Sequence, residues 1–564
     1  MCGIYGLFGG ITEKKPASEI YGSFNKLKRR GPDRSLTVFN HQCFLGFHRL
    51  AIMGLDIDGD QPFHLIDGSK TFYLVCNGEI YNFRELIDKH NLNISKTGSD
   101  CAVILPLYKL FGFDINRLNK ELIGEYSFSI VEIDNDKLIS VIISTDPLSV
   151  RPLFYSVSDD YKSFGFSSLL AGLSSLFPNV IRINQKKILK WVPGTPPEIY
   201  SYWDNIIKIE SEFDTDPELK DYNQVVTLFE TAVKRRLISD RPVGCLLSGG
   251  LDSSLVCSIA AKKLAEDYPG KKLHTFSIGM KEGTDIIFAK KVAEHVNNMY
   301  NNIEHHVIYF TPQEGLDCID DVIRSIETYD ITTIRASVGQ YLLGKYISSK
   351  TDIKVILNGD GADEGQMGYL YFYLHPNAEA ARDESYKLLD EIHLFDGLRV
   401  DRAISCHGLE ARVPFLDREF VDYFRSIPTK WKLPVKERME KFFIRNAFST
   451  VYKNQPVLPD EVLWRKKEAF SDGVSGKEKS WFQWVQEYLN GKVSDSEFEK
   501  EKNNLHPTLV PPTKEAYYYM KKFKENFGPQ WSVIPHYWLP NWSGNIQEPS
   551  ARVLKVYDQG ADGK

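Results

Sequence analysis

The chain has 564 residues, 42% of them hydrophobic and 26% charged, with a formal net charge of -6. That balance is ordinary for soluble globular protein, and the length suits about three domains or two larger ones. No basic tail or stripe is present to track a phosphate backbone, and no apolar run approaches about 18 residues, so neither nucleic acid nor a membrane is an expected partner.

The eight cysteines form no CxxC pair and no Cys/His metal pattern, and their scatter suits a reducing, cytoplasmic compartment. The opening MCGIYGLFGG is too short and too glycine-rich for a signal peptide, and Gly3 does not follow Met1 as myristoylation requires. Short β-like runs then dominate residues 1–195: CFLGFHRLAIM, KTFYLVCNGEIYNF, YSFSIVEI and KLISVIIST, each bounded by Gly, Asp or Asn. Helical patterns are fewer, one of them lying around Asp100 to Leu110. The mix predicts an α+β domain of layered sheets. The proline-rich WVPGTPPEIYSYW reads as a linker, placed at 196–215. From 216 to 545 the character changes. A helical run, Tyr222 to Leu237, leads to the buried-strand run VGCLL, then SGG, another helix and the strand LHTFSIGM. This alternation predicts an α/β domain on a parallel sheet. From Trp481 the chain is aromatic and helical, and 546–564 reads as a C-terminal tail.

Two segments carry chemistry. Removal of Met1 would leave Cys2 with a free α-amine, titrating near 8, on the same residue as its thiol. Nucleophile and base are then joined in one residue. A small buried cysteine is the plain alternative. The string Leu246-Leu247-Ser248-Gly249-Gly250-Leu251-Asp252-Ser253-Ser254 follows an apolar strand and opens a helix. It is not the GxxxxGK[ST] pattern. Its glycines still allow close backbone approach, its hydroxyls and N–H groups donate to oxyanions, and the helix start favours negative charge. An ordinary strand–turn–helix connection with a serine cap is the alternative.

The set MCGI, RRGPD (Arg29 to Asp33), HRLAI (His48 to Ile52), CNGEIYN (Cys76 to Asn82) and GSDC (Gly98 to Cys101) resembles the class II, or N-terminal-nucleophile, glutamine amidotransferases over about the first 190 residues. The resemblance implies an Ntn-type sandwich, with Cys2 as nucleophile and Asn77 and Gly78 as oxyanion donors. One such donor is worth about 3–4 kcal/mol. It also implies a glutamine pocket from Arg49, Leu50, Ala51, Ile52, Met53, Asn77, Gly78, Glu79 and Asp100. Arg49 would grip the α-carboxylate as a bidentate fork and Asp100 would accept from the α-ammonium.

SGGLDSS similarly resembles the pyrophosphate loop of ATP-pyrophosphatases, which adenylate a carboxylate. TFSIGM, ETYDITTIRAS, GDGADE, GLEARVPFLD and WRKKEAFSDGV extend that match. The two halves together resemble the glutamine-hydrolysing asparagine synthetases along nearly the whole chain. That implies ATP contacts at Leu247, Ser248, Gly249, Gly250, Asp252, Ser253, Ser254, Ile278, Asn358 and Gly359, with ATP as substrate. It implies aspartate contacts at Thr332, Thr333 and Arg335, Mg2+ on Asp252 and Asp363, and catalytic roles for Asp360 and Lys441. A homodimer is implied by resemblance alone.

Some positions depart from the family pattern. Where the family has Ser-Gly-Glu-Gly-Ser-Asp-Glu, this chain has Asn358-Gly359-Asp360-Gly361-Ala362-Asp363-Glu364. Asp360 keeps the carboxylate one methylene shorter, and a misplacement of about 1 Å can cost about 10²-fold in rate. In DPLSVRPLFY, Ser149 stands for the family's glycine and Arg151 for its lysine, which reads as structural variation. FSSLLAGL lacks the usual charges, which predicts a changed interdomain surface. The rival readings are an amidotransferase acting on another carboxylate, a catalytically weakened regulatory relative, and a β-lactam-forming cyclase of related fold.

Overall fold

The computed structural model describes residues 1–40, 42–203, 218–281, 283–468, 473–475, 479–544 and 546–554. The N-terminal part is two six-stranded antiparallel sheets. One orders Ile181–Arg182, Phe154–Val157, Ser163–Ser167, Gly3–Gly9, Cys43–Arg49 and Arg34–Asn40. The other orders Glu198–Ser201, Lys187–Trp191, Lys137–Thr145, Gly124–Asp134, Lys70–Ile80 and Phe63–Asp67. Ile4, Phe8 and Phe47 of the first sheet meet Val75, Val131 and Trp191 of the second in one buried cluster. Period-2 side-chain alternation supplies that shared face from each strand. The layered α+β expectation holds.

The second part carries a five-stranded parallel sheet, ordered Ile303–Tyr309, Leu273–Gly279, Val243–Leu246, Val355–Leu357 and Glu410–Arg412. The chain enters at Val243–Leu246, builds outward to one edge, then returns beside its starting strand and builds to the other. Strand order therefore reverses between Val243–Leu246 and Val355–Leu357. Ligands of such sheets bind beyond the carboxyl ends of the strands at that reversal. The loops leaving these two strands are SGG and Asn358-Gly359-Asp360.

Two boundaries differ from the sequence reading. Part of the expected linker is an edge strand, Glu198–Ser201, paired antiparallel with Lys187–Lys190. Pro196 and Pro197 precede it, where an edge tolerates them, and Tyr200 packs on the core. Residues 204–215 of the linker lie outside the described residues. The expected tail is docked over 546–554: Leu554 is buried with Met367, Leu370, Tyr371 and Phe372, and Ile546 and Ala551 pack on the same cluster. Residues 555–564 lie outside the described residues.

Candidate active site

Cys2 immediately precedes the strand Gly3–Gly9, whose pairing Gly3↔His48 sets it beside the segment after Arg49. Leu50 N–H donates to Cys2 Sγ at 3.4 Å. Burial pushes the thiol up to about 12. Met1 is buried and its ammonium donates to Leu409 O at 3.2 Å, across the domain boundary. Burial lowers that amine to about 6.

Asn77 and Gly78 lie on Lys70–Ile80, a central strand of the second sheet. Asn77 is fully buried, yet neither its Oδ1 nor its Nδ2 has a hydrogen-bond partner. Gly78 has φ +149, and a Cβ there would collide with Glu125 O on the neighbouring strand. Only glycine fits this approach. Asp100 Oδ2 accepts from Ile80 N–H at 2.5 Å, and burial raises its carboxyl to about 6. Glu79 lies well above the usual carboxylate range, through burial first and then through Asp100 and Glu410; Arg412, 3.1 Å away, offsets this in part.

The 50–53 segment is buried and tied to both domains. Asp33 Oδ2 accepts from Ala51 N–H at 2.9 Å, Arg241 Nε donates to Ala51 O at 3.0 Å, and Asp240 N–H donates to Ile52 O at 3.1 Å. Arg49 is not the open fork the sequence suggests. Its Nη1 pairs with Asp60 Oδ1 at 2.7 Å and donates to Asp56 O, while Nη2 donates to Gly54 O. A buried guanidinium needs acceptors, and the adjacent loop supplies them.

The SGGLDSS loop follows the strand Val243–Leu246 and opens the helix Leu251–Asp267, the local structure predicted for it. Gly249 has φ +80, and a Cβ there would collide with the backbone nitrogen of Ala289; Ser248 Oγ lies 2.9 Å from Ser253 Oγ. Leu247, Ser248, Gly250, Asp252, Ser253, Ile278, Asn358 and Gly359 line one cavity with Phe276, Gln340 and Lys441. Gly249 and Ser254 stand behind it. Gly249 shapes the turn, and Ser254 is fully buried with no partner for its Oγ. Lys441 Nζ bridges the two carboxylates expected to hold metal, at 2.5 Å from Asp252 and 2.6 Å from Asp363. Lys467 pairs with Asp363 from the other side. Burial alone would raise the Asp363 carboxyl, but Lys441 and Lys467 outweigh it and hold it below the ordinary range.

A second cavity adjoins the first. Thr332, Arg335, Tyr369, Tyr371, Arg399, Trp538 and Ser550 line it, and Asp360, Asp363 and Lys467 line both. Asp360 is held by Gln340 Nε2 at 2.9 Å and Arg399 Nη2 at 2.8 Å. Thr332 Oγ1 is buried without a partner, as a substrate contact would be. Thr333 does not line the cavity. It is 2% exposed, and its N–H and Oγ1 both donate to Asp330 Oδ2 at 2.8 Å, capping the helix Ile331–Lys350. Arg335 does line it, but its guanidinium is engaged with Glu515 and Glu548.

Lys467, Gln340 and Arg399 went unassigned in the sequence. Lys467 sits in WRKKEAFSDGV, where nothing local tells one lysine of the pair from the other. Gln340 and Arg399 sit on helices remote in sequence from the loops they meet. Asp330, three residues before Thr333, is a readable cap signal. Among the described residues no helix is long and apolar enough to cross a membrane.

A family model described as asparagine synthase matches residues 224–388 and 373–547, and one described as a glutamine amidotransferase domain matches residues 1–211. The glutamine-hydrolyzing asparagine synthetase of Gallus gallus is 39% identical over 583 residues, covering 99% of each chain. That of Rattus norvegicus is 37% identical over 587 residues, covering 100% of each, and that of Homo sapiens 37% over 588 residues, covering 99% of each.

Proposed function

The chain belongs to the asparagine synthase family, and we propose that it converts aspartate to asparagine through β-aspartyl-AMP, using ammonia that Cys2 releases from glutamine. The observation that carries this reading is the shared wall of the two cavities. Asp360, Asp363 and Lys467 border both, so a nucleotide phosphate and an acceptor carboxylate can meet across them.

In the first domain, Cys2 Sγ attacks the glutamine amide carbon once Met1 is gone and the Cys2 amine can take the thiol proton. While Met1 remains, that nitrogen is a peptide amide and no base. Asn77 Nδ2 and the Gly78 N–H receive the oxyanion. The unpartnered, fully buried Asn77 amide supports this role, since a buried polar group without a partner is costly unless a ligand satisfies it. Asp100 accepts from the glutamine ammonium, and Arg49 takes its carboxylate by exchanging the bond to Asp60. Ammonia leaves and water then resolves the thioester.

In the second domain, the phosphate loop and Asn358-Gly359 hold ATP, and Thr332 and Arg335 contact the acceptor. Lys441 and Lys467 steady the charge that develops as the acceptor carboxylate displaces pyrophosphate. Asp360, held by Gln340 and Arg399, faces the site where ammonia meets the adenylate. Mg2+ fits here: Asp252 and Asp363 offer hard oxygen donors beside the loop, and Asp252 Oδ1 is buried without a partner. When bound there it would neutralise phosphate charge. A cytoplasmic location and a homodimer complete the proposal.

The test is a product assay with aspartate, MgATP and either glutamine or ammonium, measuring asparagine, glutamate, AMP and pyrophosphate. Asparagine matched by pyrophosphate is expected from both nitrogen sources. Cys2→Ala should abolish glutamine use and spare ammonium use. Glutamate release without asparagine or pyrophosphate would point to another carboxylate acceptor.

A further inference from the structure

At the edge of the parallel sheet, beside Phe276 of the first cavity, two imidazoles and a carboxylate converge. His274 Nδ1 lies 3.2 Å from His306 Nε2 and 3.7 Å from Glu304 Oε1, and His306 Nε2 lies 3.5 Å from the same Oε1. We propose that His274, Glu304 and His306 form a binding site for a divalent transition ion of the zinc class.

The strands build the triangle. Leu273–Gly279 and Ile303–Tyr309 run parallel in register, with His274 paired to Glu304 and Phe276 to His306. Alternation along each strand puts Glu304 and His306 on one face, and His274 with Phe276 on the same face of the neighbouring strand. The Phe276 ring stacks on His306, centroids 4.8 Å apart and planes 14° from parallel, which limits the His306 ring to few orientations.

The distances match an ion. A point equidistant from the three donor atoms, in their plane, lies about 2.0 Å from each, which is the bond length of zinc to imidazole nitrogen and carboxylate oxygen. As the rings stand, the two nitrogens aim at each other, as in an N–H···N bond. Ion binding requires that proton to leave and each ring to turn its lone pair toward the shared point. Two nitrogens and one oxygen select a borderline ion such as zinc over magnesium or calcium. The side chains are 27%, 47% and 23% exposed for His274, Glu304 and His306, so an ion enters from solvent and keeps a position open to water.

The test is zinc titration of the metal-stripped full chain, against a competing chromophoric chelator. A Cys2→Ala background removes the partly buried thiol of the proposed glutamine site as a ligand, and saturating MgATP occupies Asp252 and Asp363. One saturable zinc per chain is expected. His274→Gln and His306→Gln should each weaken it at least about tenfold, since each deletes one of three donors. Glu304→Gln, at an exposed position that the fold tolerates, should weaken it in the same direction. No saturable uptake, or uptake unchanged in all three variants, would overturn the proposal and leave a histidine pair beside a surface carboxylate.

Discussion

Asn77 separates a catalytic role from a structural one because the two predict opposite signs. Its side chain is 0% exposed and neither amide atom bonds to the fold. An unsatisfied buried polar group costs about 1–3 kcal/mol. Asn77→Ala removes that cost and leaves a small void, so stability should stay within about 1 kcal/mol of the parent. The same change deletes one oxyanion donor, worth about 10²–10³-fold in kcat, or roughly 2.7–4 kcal/mol. The assay is glutamate release from glutamine, with ammonium-dependent asparagine formation and the urea midpoint measured on the same preparation. Glutaminase activity should fall by that factor, while ammonium-dependent synthesis and the midpoint hold. A midpoint loss equivalent to more than about 2 kcal/mol, with both activities falling together, would refute the reasoning and make Asn77 a structural residue.

The pH dependence follows from Asp100, whose carboxyl is raised to about 6 by burial. Below that value it is protonated and cannot hold an ammonium, so kcat/KM for glutamine should decline as pH falls through about 6; a profile flat from pH 5 to 8 would contradict this. Because the folded value lies above the ordinary 3.8, Asp100 favours the fold most at low pH and contributes less as pH rises through about 6, opposite to a paired surface carboxylate. Lys467→Met should reduce ammonium-dependent synthesis by at least about 10²-fold and leave glutamate release intact, since Lys467 borders only the second-domain cavities. Glu548→Gln loosens one of the two carboxylates on Arg335. If the acceptor carboxylate takes Glu548's place, KM for aspartate should drop by up to about tenfold, or 1.4 kcal/mol, with kcat unchanged. A raised KM would mean that Glu548 orients Arg335.

What the sequence made legible was local demand. Gly78 and Gly249 are readable because a positive φ and a close backbone approach are needed at those residues themselves. Ser149 shows the limit of that logic. It occupies the left-handed region at φ +49, where the family has glycine, and its fully buried Oγ donates to Thr145 Oγ1 at 2.9 Å. A local hydrogen bond here accompanies a conformation that serine rarely adopts. The missing charges of FSSLLAGL have a similar resolution: the backbone amides of Leu170 and Ala171 donate to the Glu327 carboxylate at 2.8 and 2.9 Å, so this segment makes the interdomain contact without a charged side chain of its own. Partner choice across the chain was not legible. Arg335 finds Glu515 and Glu548, 180 and 213 residues away, and no spacing rule connects them.

Arg412 shows what those long-range pairings accomplish. It is fully buried, with Nη2 3.1 Å from Glu79 of the proposed glutamine pocket and Nε 2.8 Å from Glu410. Its Nη1 donates to Arg236 O at 2.9 Å and Ile238 O at 2.6 Å, and its own carbonyl accepts from Asn358 N–H at 2.9 Å. Beside it, Glu125 of the first domain pairs with Arg151 at 2.8 Å and Arg236 at 2.7 Å, and accepts from Val413 N–H at 3.1 Å. Buried ion pairs of this kind give little net stability over well-packed apolar residues, because desolvation offsets their attraction. Removing one partner is a different matter, since it strands a buried charge at about 3–5 kcal/mol. The interface therefore penalises alternative domain placements more than it rewards the native one. Glu79 and Asn358 touch the same arginine, so the proposed glutamine pocket and the proposed nucleotide loop are held in one relative geometry by a single side chain and its backbone.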